Sequence, residues 1–329
     1  MKFNLKNLID KGIFKKINYY INQNSIIGGG KYRASMCNYI PESIVLDYKK
    51  RIIVIGDIHG DFNSLLKCLY IAKVIDKNCK WIGNNTIVIQ LGDQLDKGGR
   101  VNLSVDTIND ELEELKVIEF MHYLHFEAKK KNGAVYNLLG NHELMNILGD
   151  FRYATSNHIK GFGGDKTRKE LFKPGGAIAI KLACNTNGIM QIGNWIFVHA
   201  GLLPHHVKKF SITDINNKIR NILLGNITKD NAGPEMDDIL YGPDGILWNR
   251  FYTKNKNNCK ILNETFQILK LHKGHMVVGH TIQDKINSIC NDKLWFADIG
   301  MSSAFGDNTN SNVEILEIKN NKDVKILRY

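Results

Sequence analysis

The stretch RIIVIGDIHGD (51–61) contains the pattern that decides the fold. Its first five residues are mostly isoleucine and valine, so they predict a short buried strand. The strand ends at Gly56, and Asp57, His59 and Asp61 follow directly. A strand that leads at once into side chains of metal-ligand type indicates a site at its carboxyl end.

The same pattern returns four more times along the chain. Buried strands are predicted at 86–91, 134–139, 195–198 and 276–278. The polar residues that follow these strands are Asp93 and Asp96, then Asn141 and His142, then His199, and finally His280. Because ligands in open α/β folds bind beyond the carboxyl ends of the strands, the five strand ends predict one convergent site.

A helix is predicted between the second and third of these strands. Ile108, Leu112, Leu115 and Ile118 follow one another at three- or four-residue steps. Acidic residues occupy the first turns and three lysines the end, at 129–131, which complements the helix dipole. The alternation of strands with helices places the chain in the α/β class.

The candidate ligands offer oxygen and imidazole nitrogen but no thiolate. Such a set suits Mn, Fe or Zn, and it exceeds what one ion needs. Two ions about 3.5–4 Å apart, bridged by a carboxylate, would use all of it. The sequence therefore predicts a centre of two divalent or trivalent ions.

Composition narrows the classes of partner. The 329 residues include 44 Lys and Arg against 33 Asp and Glu, a net charge of +11 that favours anionic partners. Nucleic acid is disfavoured as the partner, because the lysines are dispersed and the sequence has no zinc finger or RNA-recognition motif. The six cysteines are scattered without a CxxC pair, which predicts buried thiols in a reducing compartment and not a disulfide framework.

The two parts of the chain differ in character. Residues 1–45 are predicted to be a basic N-terminal extension and 46–329 the catalytic domain. Apolar residues at helical spacing, together with an excess of lysine, predict an amphipathic helix in the first 20 residues. It would pack on the domain or contact a partner or a membrane surface. Without a signal peptide or a membrane-spanning segment, we expect an intracellular, cytoplasmic protein.

The five blocks together resemble a known family. GDIHGD (56–61), GDQLDKGG (92–99), GNHE (140–143), HAG (199–201) and GHT (279–281) resemble the calcineurin-like metallophosphoesterases of the phosphoprotein phosphatase type. The stretches LLGNHELMNILGDFRY, IFVHAGLLP, GILWNR and FADIGMSSAF are most similar to the Shewanella-like phosphatases. The resemblance implies one domain with a central β-sandwich of two mixed sheets flanked by α-helices. It also implies a phosphomonoesterase that acts on phosphorylated protein, in which a metal-bridging hydroxide attacks phosphorus directly.

The resemblance implies a role for each matching residue. The implied metal ligands are Asp57 and His59 for the first ion, Asp93 for both ions, and Asn141, His199 and His280 for the second.

Further residues are implied in the chemistry itself. His142 would be the general acid that protonates the leaving oxygen, and Asp96 would orient its imidazole. Arg250, Lys97 and Asn141 would bind the phosphate oxygens. The family's usual block has arginine where this chain has Lys97, and lysine keeps the charge but loses the two-pronged geometry of the guanidinium. We therefore expect lower catalytic efficiency or an altered substrate preference.

Two alternatives remain open at this point. A dinucleoside tetraphosphatase or phosphodiesterase of the same superfamily would share the early motifs. Many diesterases carry aspartate where this chain has Glu143 and histidine where it has Ile282, so both positions favour the monoesterase. A catalytically silent binding module would be expected to lack a ligand, and every ligand position is filled.

Overall fold

The structure, a computed structural model, describes residues 37, 39–46, 50–98, 111–228, 230–255, 258–305 and 313–328. Its strands are β1 (Ile44–Val45), β2 (Ile52–Ile55), β3 (Ile87–Gln90), β4 (Ala134–Leu138), β5 (Thr186–Asn187), β6 (Ile189–Ile192), β7 (Trp195–Val198), β8 (His275–Val278), β9 (Asn287–Ile289), β10 (Leu294–Phe296), β11 (Glu314–Lys319) and β12 (Asp323–Arg328).

Helices fill most of the connections. They are α1 (Phe62–Ile71), α2 (Glu113–Lys129), α3 (Asn141–Ile147), α4 (Ser156–Gly161), α5 (Asp165–Phe172), α6 (Ala177–Asn185), α7 (Pro204–Lys208), α8 (Ile212–Leu223), α9 (Pro234–Met236), α10 (Phe251–Lys254) and α11 (Asn258–Ile268). A short π-helix spans Asp237–Tyr241 and a 3₁₀ turn spans Ser303–Phe305.

The strands form two six-stranded sheets, both mixed. The first has the order β12-β11-β2-β3-β4-β5, and the second has the order β1-β6-β7-β8-β10-β9. In the first sheet, β2, β3 and β4 are parallel and in register, with Ile53 beside Val88 and Val88 beside Val135. In the second sheet, β7 and β8 are parallel. Strands that are parallel and in register end at one edge, so the loops that follow them lie side by side.

The side chains of β2 show how the sheets stack. Ile52 and Val54 point into an apolar layer between the two sheets, with Trp195 and Phe197 of β7 on the opposite side. Ile53 and Ile55 point the other way and pack under α1 and α2. This alternation is the period of two that a strand buried on both faces requires. A separate core packs the remaining helices on the outer face of the second sheet.

The predicted fold class is therefore confirmed: two mixed sheets stack as a sandwich between layers of helices. All five predicted strands are present, as β2, β3, β4, β7 and β8. The predicted helix is α2, which begins at Glu113. Of the earlier predicted residues, Leu112 is the N-cap and Ile108 falls in 99–110, outside the described residues.

The predicted N-terminal helix also lies outside the described residues. Of the predicted extension, only 37 and 39–45 are described, and there Ile44 and Val45 pair with β6 as the strand β1. The domain boundary at 45 stays a prediction. Among the described helices, none combines the length and the apolar character that crossing a bilayer requires.

The expectation about the cysteines is wrong for four of the six. Cys37 is bonded to Cys184 and Cys259 to Cys290, whereas Cys68 and Cys79 are free and buried. The first pair is separated by 147 residues in sequence. Neither pair has the short spacing of a recognisable motif. Tertiary packing brings the partners together, so the sequence alone did not indicate the bonds.

These pairings predict a thiol count. In denaturant without reductant, we expect two thiols per chain to react with a thiol reagent, and all six after reduction. The variant Cys259→Ser releases Cys290 and should raise the first count to three. Six reactive thiols before reduction would contradict both bonds.

Candidate active site

The five strand ends meet at one edge of the sandwich. The first sheet contributes Asp57, Asp93 and Asn141, from the loops after β2, β3 and β4. The second sheet contributes His199 and His280, from the loops after β7 and β8. All but His280, which is partly buried, are at most 5% exposed. Two sheets thus supply ligand-type side chains to one buried cluster.

The backbone turns sharply at these strand ends. His59, Asp93 and His280 have φ values of 45°, 53° and 63°, in the left-handed region. Such a residue costs about 1–3 kcal/mol and persists only where its surroundings hold it in place. These turns redirect the backbone as it leaves each strand and point the side chains inward.

Two glycines allow the backbone to approach the carboxylates closely. A Cβ atom on Gly140 would overlap the side chain and backbone nitrogen of Asp93, and one on Gly279 would overlap the carboxylate of Asp57. The absence of a side chain at these positions lets neighbouring loops close over the two aspartates.

Asp93 lies at the centre of the cluster. Its Oδ2 atom lies 3.4 Å from His199 Nε2, 3.8 Å from His59 Nε2 and 3.8 Å from His142 Nε2. The ligand-type atoms of His59, Asp93 and His142 lie within 4.8 Å of one another, and so do those of Asp93, His199 and His280. One carboxylate shared by two groups of ligands is the arrangement that a bridged pair of ions needs.

Backbone carbonyls orient three of the histidines. In each, one ring nitrogen contacts a carbonyl oxygen, which leaves the other ring nitrogen as the one to face an ion. The contacts are His59 Nδ1 to Leu95 O at 3.1 Å, His199 Nδ1 to Leu91 O at 2.9 Å, and His280 Nε2 to Trp248 O at 3.0 Å.

The charges in the cluster favour a cation. Burial and the neighbouring carboxylates of Asp298 and Asp93 raise the pKa of Asp57 well above its usual range. Burial, together with His199 and Arg250, lowers the pKa of His280 to about 3, so this imidazole is neutral and keeps a lone pair for a metal. Carboxylates that repel one another beside a neutral imidazole fit the metal ions that the sequence predicted.

His142 is held by a carboxylate at the edge of this cluster. Its Nδ1 atom lies 2.8 Å from Asp96 Oδ2, and both residues are buried. The backbone N–H of His142 donates to Asp93 Oδ1 at 2.9 Å. The imidazole is therefore held through Nδ1 and its backbone through the N–H, and Nε2 lies 3.8 Å from Asp93 Oδ2.

The predicted phosphate-binding residues lie in different surroundings. Arg250 lines a cavity of about 770 Å³ above the cluster, and its Nη1 atom donates to Thr281 Oγ1 at 2.9 Å. Lys97 is 6% exposed, and its ammonium donates to Glu113 at 2.9 Å. Arg152, which the sequence did not single out, also lines this cavity. Asn141 lines it too, and its Oδ1 contacts His199 Nε2 at 2.9 Å.

Glu143 joins two of the converging loops. Its carboxylate accepts four backbone N–H groups, from Asp93, Gln94, Leu95 and Gly140, at distances of 2.8–3.1 Å. The first three donors belong to the loop after β3, and the fourth immediately precedes α3. One buried side chain therefore sets the position of Asp93 relative to Asn141 and His142.

Comparison with known proteins agrees with this geometry. The sequence model of the calcineurin-like phosphoesterase family matches residues 50–313. The chain is 30% identical to Shewanella-like protein phosphatase 2 of Arabidopsis thaliana, over 84% of this chain and 77% of that protein. It is 33% identical to Shewanella-like protein phosphatase 1 of Plasmodium berghei (strain Anka), over 78% of this chain and 68% of that protein.

A solved structure has the same fold. The cold-active protein-tyrosine phosphatase of a psychrophilic Shewanella species superposes with a TM-score of 0.72 at 22% identity, covering 90% of this chain and 85% of that one. The family resemblance predicted from the motifs is confirmed.

The Glu143 contacts predict a stability effect. In Glu143→Gln one oxygen becomes an NH₂ group, which faces two backbone donors and leaves them unsatisfied. We expect a loss of about 2–4 kcal/mol in the free energy of unfolding of the metal-free protein, measured with urea. Glu127→Gln, which removes an exposed ion pair with Lys130, is the control and should cost less than about 1 kcal/mol. Equal losses in the two variants would contradict the role assigned to Glu143.

Proposed function

The chain belongs to the calcineurin-like phosphoesterase family, and on that premise we propose that it is a two-metal phosphomonoesterase that acts on phosphorylated side chains of proteins. The observation that carries the proposal is the cluster around Asp93, where two groups of ligands share one carboxylate beside the His142–Asp96 pair. A phosphomonoesterase needs these two parts: a place for ions that bind the phosphate, and an acid for the leaving oxygen.

The ligand assignment starts from the two groups but keeps His142 for the acid. It adds two neighbours, Asp57, whose Oδ2 lies 3.9 Å from His59 Nε2, and Asn141, whose Oδ1 lies 2.9 Å from His199 Nε2. In the proposal the first ion is held by Asp57, His59 and Asp93, and the second by Asp93, Asn141, His199 and His280. The ions would be Mn, Fe or Zn, because the donors are oxygen and imidazole nitrogen. When bound, such ions would supply Lewis acidity to the phosphate oxygens and lower the pKa of a bound water molecule.

His142 is the proposed general acid. The contact of its Nδ1 atom with Asp96 supports this role, because an imidazole oriented through one nitrogen presents the other to the substrate. Nε2 would give its proton to the oxygen of the departing serine, threonine or tyrosine. Asp96 orients the ring for this transfer through its 2.8 Å contact with Nδ1.

The substrate class is supported by the relatives and by the cavity. The two relatives named above are called protein phosphatases. The cavity walls combine the cationic Arg152 and Arg250 with the aromatic Tyr153, Trp248 and Phe305. Such walls suit a phosphorylated side chain that enters with its apolar stem.

A substrate panel tests the proposal. Phosphoserine, phosphothreonine and phosphotyrosine peptides, p-nitrophenyl phosphate and diadenosine tetraphosphate are offered with and without Mn²⁺. We expect hydrolysis of at least one peptide that depends on the added ion. Preferential cleavage of the tetraphosphate would contradict the substrate class. Activity no higher than that of Asp93→Asn would favour a silent binding module.

The roles of Asp93 and His142 predict that substitution of Asp93 removes bound metal and substitution of His142 does not. We expect Asp93→Asn to lose bound metal together with activity, because both groups of ligands share this carboxylate. We expect His142→Ala to keep its metal while turnover falls by roughly 10²–10⁴, which is the usual contribution of a positioned acid. Elemental analysis and initial rates measure the two effects. Loss of metal from His142→Ala would identify a ligand, an outcome that the 3.8 Å distance from Asp93 makes worth testing.

The two predicted phosphate-binding cations are separable by mutation. Arg250→Ala should lower kcat/KM by roughly tenfold to hundredfold, because a hydrogen bond to a charged group contributes about 1.5–3 kcal/mol. Lys97→Ala should have a smaller effect, since its ammonium binds Glu113. If Lys97→Ala lowered kcat/KM as much as Arg250→Ala did, Lys97 would be identified as a phosphate-binding residue.

A further inference from the structure

A buried arginine lies behind the His142–Asp96 pair. Arg168 is on α5, where its neighbours Lys166, Thr167 and Lys169 are exposed, yet its own side chain is 0% exposed. The rings of Phe151, Phe162 and Phe172 surround the guanidinium, with centroids 4.7–5.4 Å from its Cζ atom. The guanidinium is therefore fixed in place by packing on its faces and by polar contacts at its edge.

Two chains of hydrogen bonds, or arms, connect the guanidinium to the His142–Asp96 pair, and the first arm runs through Asn146. Arg168 Nε and Nη2 donate to Asn146 Oδ1 at 2.9 and 2.7 Å. The amide Nδ2 donates to both carboxylate oxygens of Asp96 at 3.0 Å and to the carbonyl of His142 at 2.9 Å. Because the amide oxygen faces the guanidinium, the amide nitrogen has to face Asp96. Arg168 thus prevents a flip of the amide that would place one acceptor against another.

The second arm runs through Glu114. Arg168 Nη1 donates to Glu114 Oε2 at 2.7 Å, and the backbone N–H of Asp96 donates to Glu114 Oε1 at 2.7 Å. Burial opposes ionisation of Glu114, but Arg168 and His158 hold its pKa well below its usual range. Asp96 has a left-handed backbone, with φ of 69°, so the two arms hold the backbone and the carboxylate of a strained residue.

Stability alone does not account for this arrangement. Burying a charged network costs desolvation energy, and well-packed apolar side chains often serve as well or better in a core. Here the network converges on Asp96, whose carboxylate lies 2.8 Å from the Nδ1 atom of the proposed acid. Its position indicates a functional role.

We propose that Arg168 is a positioning residue for protonation of the leaving oxygen. It would hold Asp96 against the His142 imidazole through Asn146 and Glu114, and through the direct contact of its Nη2 atom with Asp96 Oδ1 at 3.5 Å. The inference rests on the roles proposed above for His142 and Asp96. Arg168 itself does not touch the substrate in this proposal, and its effect is confined to the step in which the leaving oxygen takes up a proton.

The dependence of rate on the leaving group separates this role from a structural one. An alcohol that leaves readily needs little protonation, and a poor leaving group needs more. The test is kcat on a series of substituted phenyl phosphates, from p-nitrophenyl phosphate to phenyl phosphate, with metal content verified. We expect Arg168→Met to lose roughly tenfold to hundredfold on phenyl phosphate and less than about threefold on p-nitrophenyl phosphate. Arg168→Lys should recover part of the loss.

Two further variants test the route. Asn146→Ala should steepen the leaving-group dependence in the same way. The double variant Arg168→Met/Asn146→Ala should lose less than the product of the two single losses, because the residues act in one chain of contacts. Arg220→Met is the matched control, since Arg220 is also buried but binds Ala183 and Asn187. It should leave the leaving-group dependence unchanged.

The outcomes distinguish a failure of the general-acid assignment to His142 from a failure of the positioning role of Arg168. If His142→Ala leaves the leaving-group dependence unchanged, the general-acid assignment fails and the inference fails with it. If His142→Ala steepens it but Arg168→Met lowers all rates equally, as a structural change would, only the role of Arg168 is overturned. Should Arg168→Met not fold, an unchanged dependence in both Arg168→Lys and Asn146→Ala overturns it as well.

Discussion

The carboxylate of Glu143 holds the two central loops of the site in one relative position, because its two oxygens accept backbone hydrogen bonds from both. Three donors come from the loop that carries Asp93, and the fourth is the N–H of Gly140, just before Asn141 and His142. A side chain that satisfies four buried donors leaves these loops little freedom to move. The shared carboxylate, one predicted ligand of the second ion and the predicted acid therefore form one rigid unit.

Much of the fold could be predicted because its signals are local. Each of the five strands is a short apolar run that ends at glycine or histidine, and the structure has strands at all five places. The polar residues after them lie together because parallel strands in register end at one edge. The predicted roles of the site residues stay predictions, but their proximity follows from topology: Asp57, Asp93 and Asn141 come from neighbouring strands of one sheet.

Other parts of the structure have no local signal. Arg168 belongs to the sequence DKTRKELF, whose charged residues are typical of a solvated helix, although Phe172 one turn later is buried. Its contact with Asp96 spans 72 residues. The Cys37–Cys184 bond likewise joins distant segments. The contact of the Lys97 ammonium with Glu113 has no local signal either, and phosphate binding by Lys97 stays a prediction.

The predicted ligands come from both layers of the sandwich, with Asp57, Asp93 and Asn141 after strands of one sheet and His199 and His280 after strands of the other. Ions held between these residues would link the two sheets, because separating the sheets would also break bonds between the ions and their ligands. Ligands that bind only the closed form stabilise it by mass action. The same centre proposed for catalysis would then also stabilise the packing of one sheet on the other, in addition to the apolar layer between them.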